Sequence, residues 1–252
     1  MNILAFFAHP DDETMLCGGT LALLARQGAR VHYLCATRGE GGEAGEPPLC
    51  TQEELGTVRA AELTCAVQAL GGASLTFLEY VDPRVGPGDQ LYPFDADFAQ
   101  LTAQVAACME RLEIDVLISH GSNGEYGHPA HLLTHRAAAA AASTGRAPLL
   151  YTVQAAYEQH PWHDLMNRSD PAHLILDVSP ARAAKTDAAL CHRTQHALFV
   201  RHASREANRP VSVPETIGVE ESLHRCWPAV NGSAPSDALT ELLLASGYAR
   251  RG

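Results

Sequence analysis

The chain has little of what would tie it to a nucleic acid or a bilayer. Its 18 lysines and arginines stand against 29 aspartates and glutamates, a net charge of −11 over 252 residues. No basic cluster breaks that pattern, so the footprint of a protein that grips phosphate backbones or anionic membranes is missing. No apolar stretch approaches the ~20 residues needed for a membrane span. The seven cysteines are scattered, odd in number and without a C-x-x-C pair, which points to reduced thiols. The first apolar run covers only residues 3–8, with no basic segment before it and no cleavage pattern after it. That argues against a signal peptide, and a cytoplasmic protein is expected. Gly18 and Gly19 lack the spacing of a nucleotide-binding loop.

The 46% of hydrophobic residues is enough to build one large core. Strand-length apolar runs at residues 3–7, 31–36, 75–78, 116–119 and 149–153 alternate with helical stretches at 14–27, 51–70, 101–112 and 132–142. Thr51 with Glu54 reads as a capping box opening the second of these helices. The alternation predicts an α/β fold, a Rossmann-like three-layer sandwich with a mostly parallel sheet and helices on both faces. A further strand at 174–177 and a helix at 180–195 follow, whereas residues 201–230 show no strong period. With no repeat or linker, one domain over 1–252 is expected, with a core of about 1–200 and an extension of about 201–252. Loops at 38–50, 79–94 and 120–130 are long enough to wall a pocket.

Two motifs carry chemistry. His9-Pro10-Asp11-Asp12-Glu13 follows the first strand, and His128-Pro129-Ala130-His131 follows the fourth. In a doubly wound sheet such positions lie at the ligand-binding edge. A hydrolytic zinc site needs three N or O ligands, an open position for water and a base beside it. His9, Asp12 and His131 can supply the ligands, and Asp11 the base. Other readings remain at this point. Asp12 and Glu13 suit an acidic helix start without a metal, the histidine pair suits a surface, and His135, four residues after His131, is a rival ligand.

Ala8-His9-Pro10-Asp11-Asp12-Glu13 with His128-Pro129-Ala130-His131 resembles the PIG-L/LmbE-like family of zinc-dependent N-deacetylases acting on amino sugars. Similar, too, are Thr37-Arg38-Gly39-Glu40-Gly41-Gly42 to the family's Gly/Glu-rich loop, Arg59-Ala60-Ala61-Glu62 to its Arg-x-x-Glu helix, and residues 185–195 to its Lys…His-x-x-Gln helix. The resemblance implies zinc on His9, Asp12 and His131, with Asp11 as general base and His128 as the oxyanion-stabilising group. It also implies Tyr126 polarising the same oxygen, Arg59 and Asp82 binding substrate, and Glu40 at the entrance. Ala130 departs from the pattern, since the family usually has Asp there, a natural partner for orienting the preceding His.

The expected function is removal of an N-acetyl or similar acyl group from an N-acetylglucosamine-type sugar or its conjugate. The alternatives are an amidase on a larger thiol or glycopeptide conjugate and a non-catalytic sugar- or metal-binding homologue. The expected partner is a small amino-sugar substrate, not nucleic acid, and the late segment is a candidate surface for a homo-oligomer.

Overall fold

Strand β1 (Asn2–Phe7) alternates its side chains between two cores. Ile3, Ala5 and Phe7 enter one, Leu4, Phe6 and Ala8 the other, all at most 2% exposed. That period of two is what a strand covered on both faces produces. The computed structural model describes residues 1–144, 149–230 and 236–252. Around β1 stand β2 (Arg30–Thr37), β3 (Ser74–Tyr80), β4 (Val116–Ser119) and β5 (Leu149–Val153), paired in parallel in the order β3-β2-β1-β4-β5. The first core takes helices α1 (Asp12–Arg26) and α2 (Leu55–Ala69); the second takes α3 (Phe98–Arg111) and α5 (Pro129–Ala142), which follows a short turn, α4 (Gly124–Gly127). The three-layer α/β sandwich expected from the alternation is the one found.

Beyond β5 come a small pair of strands, β6 (Ala155–Ala156) and β7 (Asn167–Pro171), then β8 (Leu174–Asp177), α6 (Arg182–Cys191), α7 (His196–Ala207), α8 (Val213–Thr216), β9 (Glu220–Trp227), α9 (Ala238–Ala245) and β10 (Ala249–Arg251). The stretch without a period thus holds the end of α7, α8 and an eight-residue strand. β9 lies antiparallel between β5 and β8 in the main sheet. Its buried Glu221 hides the strand pattern because its partners are remote: the N–H groups of Gly19 (2.9 Å) and Thr20 (2.7 Å) and the Lys185 Nζ (2.8 Å). These bonds cap the second half of α1 where the helix kinks at Cys17. Gly19 is required there, since a Cβ would lie 2.5 Å from Val178.

Three expectations need correction. The second helix begins at Leu55, because the Glu54 carboxylate folds back onto the Thr51 N–H (3.0 Å) and hydroxyl (2.9 Å) in a turn ahead of it. The 180–195 helix is interrupted by short 3-10 turns at 179–181 and 193–195. Cys65 and Cys191 form a disulfide between α2 and α6, so reduced thiols are not the rule for all seven. The pair is 126 residues apart in sequence but its Cα atoms are 5.7 Å apart, a proximity only the helix packing creates. No described helix is long and apolar enough to cross a membrane.

Candidate active site

Strand order reverses between β1 and β4, the crevice where such sheets bind ligands. The two motifs meet there. In the β1–α1 loop, Asp11 stands at the helix start with φ 103°, a left-handed conformation that costs an aspartate ~1–3 kcal/mol and persists only if its surroundings impose it. They do so through the Glu13 carboxylate, which accepts from the Asp11 N–H (3.0 Å), and through Arg59, which donates to the Pro10 carbonyl (2.6 Å) and to Asp11 Oδ2 (3.2 Å). The next residue, Asp12, accepts from the His9 N–H at 2.9 Å through Oδ2. Asp11 therefore pairs with Arg59 while Asp12 faces the histidines.

The β4–α5 loop is built by helix capping. His128 Nδ1 accepts from the Ala130 N–H at 3.2 Å and Pro129 occupies the first turn, a combination that starts α5 and leaves His131 in its first turn, buried. The His128 and His131 rings stack with centroids 4.5 Å apart, and His9 lies 4.8 Å from His128 and 5.3 Å from His131. His131 Nε2 is 3.3 Å from Asp12 Oδ1. Ligand atoms of His9, His128 and His131 fall within 4.8 Å of one another, as do those of Asp12, His120 and His131.

Charges around these rings suit a cation. Burial opposes protonation of His9, yet Asp82 and Asp12 outweigh it and raise its pKa to about 10. At His131 the same contest is settled by Asp12 and Glu125, at about 9. Asp12 is held well below the carboxylate range against the cost of burial by His131 and His120. The Nε2 atoms of His9 and His131 are buried without a hydrogen-bond partner. Two imidazole nitrogens without a hydrogen bond, His9 Nε2 near Asp82 and His131 Nε2 near Asp12, fit a divalent ion, which displaces ring protons on binding.

Around that centre, burial pushes the Asp11 carboxyl up to about 6 with Arg59 opposing. His128 goes the other way, down to about 3, from burial and then the neighbouring His9 and His131 charges. Its Nδ1 accepts a backbone N–H, so the neutral ring carries its proton on Nε2. Tyr126, 54% exposed, sits 5.7 Å from His128 and 5.6 Å from His131, ring to ring. Asp82 Oδ1 lies 3.2 Å from His9 Nε2. Glu40 Oε2 accepts from the N–H groups of Arg38 (3.2 Å) and Asp82 (3.0 Å), bracing one loop on another. Arg59 is 3% exposed and also donates to the Gly39 carbonyl at 2.9 Å. A Cβ on Gly39 or Gly42 would come within 2.3 Å of its guanidinium, which accounts for glycine at both positions. The rival ligand His135 bonds the His120 carbonyl (2.9 Å) and belongs to neither three-residue group.

Sequence reasoning passed over His120, the first residue beyond β4, although its place at a strand end was a usable signal. It also left Glu125 and Asn167 without a role toward His131 and gave His192 no definite one. His192 Nε2 lies 3.1 Å from Glu13 Oε1, which ties the late chain to the first loop.

A family model described as PIG-L, GlcNAc-PI de-N-acetylase, matches residues 4–142. The chain is 39% identical over 164 residues to a 1D-myo-inositol 2-acetamido-2-deoxy-alpha-D-glucopyranoside deacetylase of Mycolicibacterium vanbaalenii, over 60% of this chain and 58% of that one. To the enzyme of the same description from Mycobacterium sp. strain KMS it is 29% identical, over 84% and 80% of the two chains. It therefore spans a little over half of the first relative. Among solved structures, the 4-carboxy-2-hydroxymuconate hydratase GalB of Pseudomonas putida superimposes with a TM-score of 0.62 at 22% identity, over 93% of this chain and 99% of that one. The N,N'-diacetylchitobiose deacetylase of Pyrococcus horikoshii gives 0.61 at 17% identity, over 89% and 84%. A hydratase and a deacetylase on one fold mean that the sheet alone does not select the reaction. With both histidine motifs and the whole switch-point crevice inside the matched residues, the chain belongs to the PIG-L family.

Proposed function

We propose that the protein is a zinc-dependent hydrolase that removes an N-acetyl or similar acyl group from an N-acetylglucosamine-type sugar or its conjugate. The observation that carries this reading is the pair of buried Nε2 atoms of His9 and His131 left without a hydrogen bond, with Asp12 3.3 Å from His131 Nε2 through Oδ1 and 3.3 Å from His9 Nδ1 through Oδ2. His9, Asp12 and His131 would hold the ion, whose nitrogen and oxygen donors suit zinc. When bound, it lowers the pKa of water toward neutrality and polarises the acyl carbonyl.

The chain's residues do the rest. Asp11, raised to about 6, is ionised at neutral pH and takes a proton from the attacking water. It returns that proton to the departing amine, so that acyl acid and free amino sugar leave together. His128, neutral with its proton on Nε2, donates to the oxygen that gains charge, a donor worth about 3–4 kcal/mol in comparable sites. Arg59 keeps Asp11 aimed through its bonds to the Pro10 carbonyl and the Asp11 carboxylate. Asp82 and Tyr126 stand beside the histidines, where sugar hydroxyls and the acyl oxygen would lie.

The names of the similar mycobacterial proteins support a glucosaminide of inositol as the first substrate to try. The test is release of acetate and primary amine from a panel of N-acetyl sugars and their inositol glycosides by metal-free and zinc-loaded protein. Turnover restored by zinc supports the reading; no release from any member contradicts it. The grouping of His9, His128 and His131 favours a second ligand set, in which His128 binds the ion in place of Asp12. The His128→Ala variant separates the two by whether zinc is retained.

A further inference from the structure

Glu125 is a glutamate where the backbone would suit glycine. Its φ and ψ are 58° and −88°, between Gly124 and Gly127, both also at positive φ. A strained carboxylate with no exposed side-chain surface persists only if its surroundings require it. Four donors converge on it. Oε1 accepts from the Gly121 N–H (3.0 Å) and from Asn167 Nδ2 (3.1 Å). Oε2 lies 2.7 Å from His131 Nδ1 and 2.9 Å from His120 Nδ1. The orientation of Asn167 is fixed in turn, because its Oδ1 accepts from the N–H groups of Asn123 and Glu125 (both 3.1 Å) and its Nδ2 donates to the Val153 carbonyl at 2.8 Å. Glu125 thus has only donors to face, and an ionised carboxylate is the group that can accept from all of them.

We infer that Glu125 is the positioning residue of the site, one carboxylate that sets the tautomer of two imidazoles and so holds both histidine loops in register. With Nδ1–H of His131 committed to Glu125, its Nε2 lone pair points to the place beside Asp12 where the ion would sit. With Nδ1–H of His120 committed to the same oxygen, His120 Nε2 accepts from the N–H of Ala8 at 3.1 Å, the residue directly before His9. The α5 ligand and the β1 loop are therefore tied to one another through a single anion. Ala130 leaves His128 without a carboxylate, and Glu125 does not supply one: its partners are His131 and His120.

This inference rests on the proposed metal site and is tested apart from turnover. Glu125→Gln keeps the shape but presents one acceptor oxygen and one donor NH2, so in either flip two donors meet the NH2. Zn2+ is titrated calorimetrically into metal-free full chain, wild type and variant, with circular dichroism to check the fold. The expected result is affinity lowered about 10–100-fold in the variant. Equal affinity overturns the positioning role, whereas no zinc binding by the wild type overturns the metal site beneath it. Should the variant not fold, imidazole nitrogen NMR of the zinc-loaded wild type decides. The inference requires His131 bound through Nε2 with a slowly exchanging proton on Nδ1, and zinc on Nδ1 contradicts it.

Discussion

The two loops that meet at the switch point solve the same problem by opposite means. Each holds a carboxylate residue at positive φ, Asp11 in one and Glu125 in the other. The β1–α1 loop is rich in acids, and its stabilising donors come from elsewhere: Arg59 on α2, and His192 through Glu13. In the β4–α5 loop the imbalance is reversed, with histidines in excess and one internal carboxylate that satisfies two of them. Burial outweighs Arg59 and leaves Asp11 at a pKa near 6, fit to exchange a proton, while Glu125 is pulled far below the carboxylate range, against the cost of burial, by His120 and His131. Strain accompanies both carboxylates; the donors around each decide whether it moves a proton or stays fixed.

The comparison breaks most visibly at Asp11. Asp11→Asn is expected to lower kcat by about 10²–10⁴-fold, the scale of a lost general base, with zinc still bound; a steady-state assay with metal analysis checks it. His128→Ala is expected to lower kcat by about 10²–10³-fold while leaving zinc affinity within a few-fold, as loss of an oxyanion donor does. Collapse of affinity would move His128 into the ligand set.

A pH profile sharpens the contrast. Under the proposed mechanism activity needs ionised Asp11, so kcat/KM should fall as pH drops through about 6, or lower once a dication sits nearby. The Arg59 charge favours the ionised form, so Arg59→Met should shift this acid limb to higher pH; an unmoved limb would remove Arg59 from the electrostatics of the base. The smallest functional effect is expected outside both loops. Gly19→Ala, with a Cβ driven to 2.5 Å from Val178, should cost about 1–3 kcal/mol of stability in denaturant unfolding and leave zinc affinity unchanged.

Much of the first half was legible because its signals are local. Alternation along β1 follows from burial on two faces, and His9 and His131 stand out because the one opens and the other closes a short motif just past a strand. What escaped was long-range. β9 has Glu221, Ser222 and Arg225 buried within it, which no hydrophobic period reveals, since Glu221 is satisfied by Gly19, Thr20 and Lys185 and Arg225 pairs with Asp237. The part Glu125 plays is not legible locally, because its partners, Asn167, His120 and His131, gather only when β4, β7 and α5 assemble. Arg59 was readable as a motif residue, but not its use of three acceptors at Gly39, Pro10 and Asp11.

The central claim is that one divalent ion is shared by both loops. Calorimetric titration of Zn2+ into metal-free wild type, His9→Ala and His131→Ala tests it most directly. The account expects one ion per chain in the wild type and a loss of affinity of at least about 100-fold in each variant; wild-type affinity in either variant would contradict it.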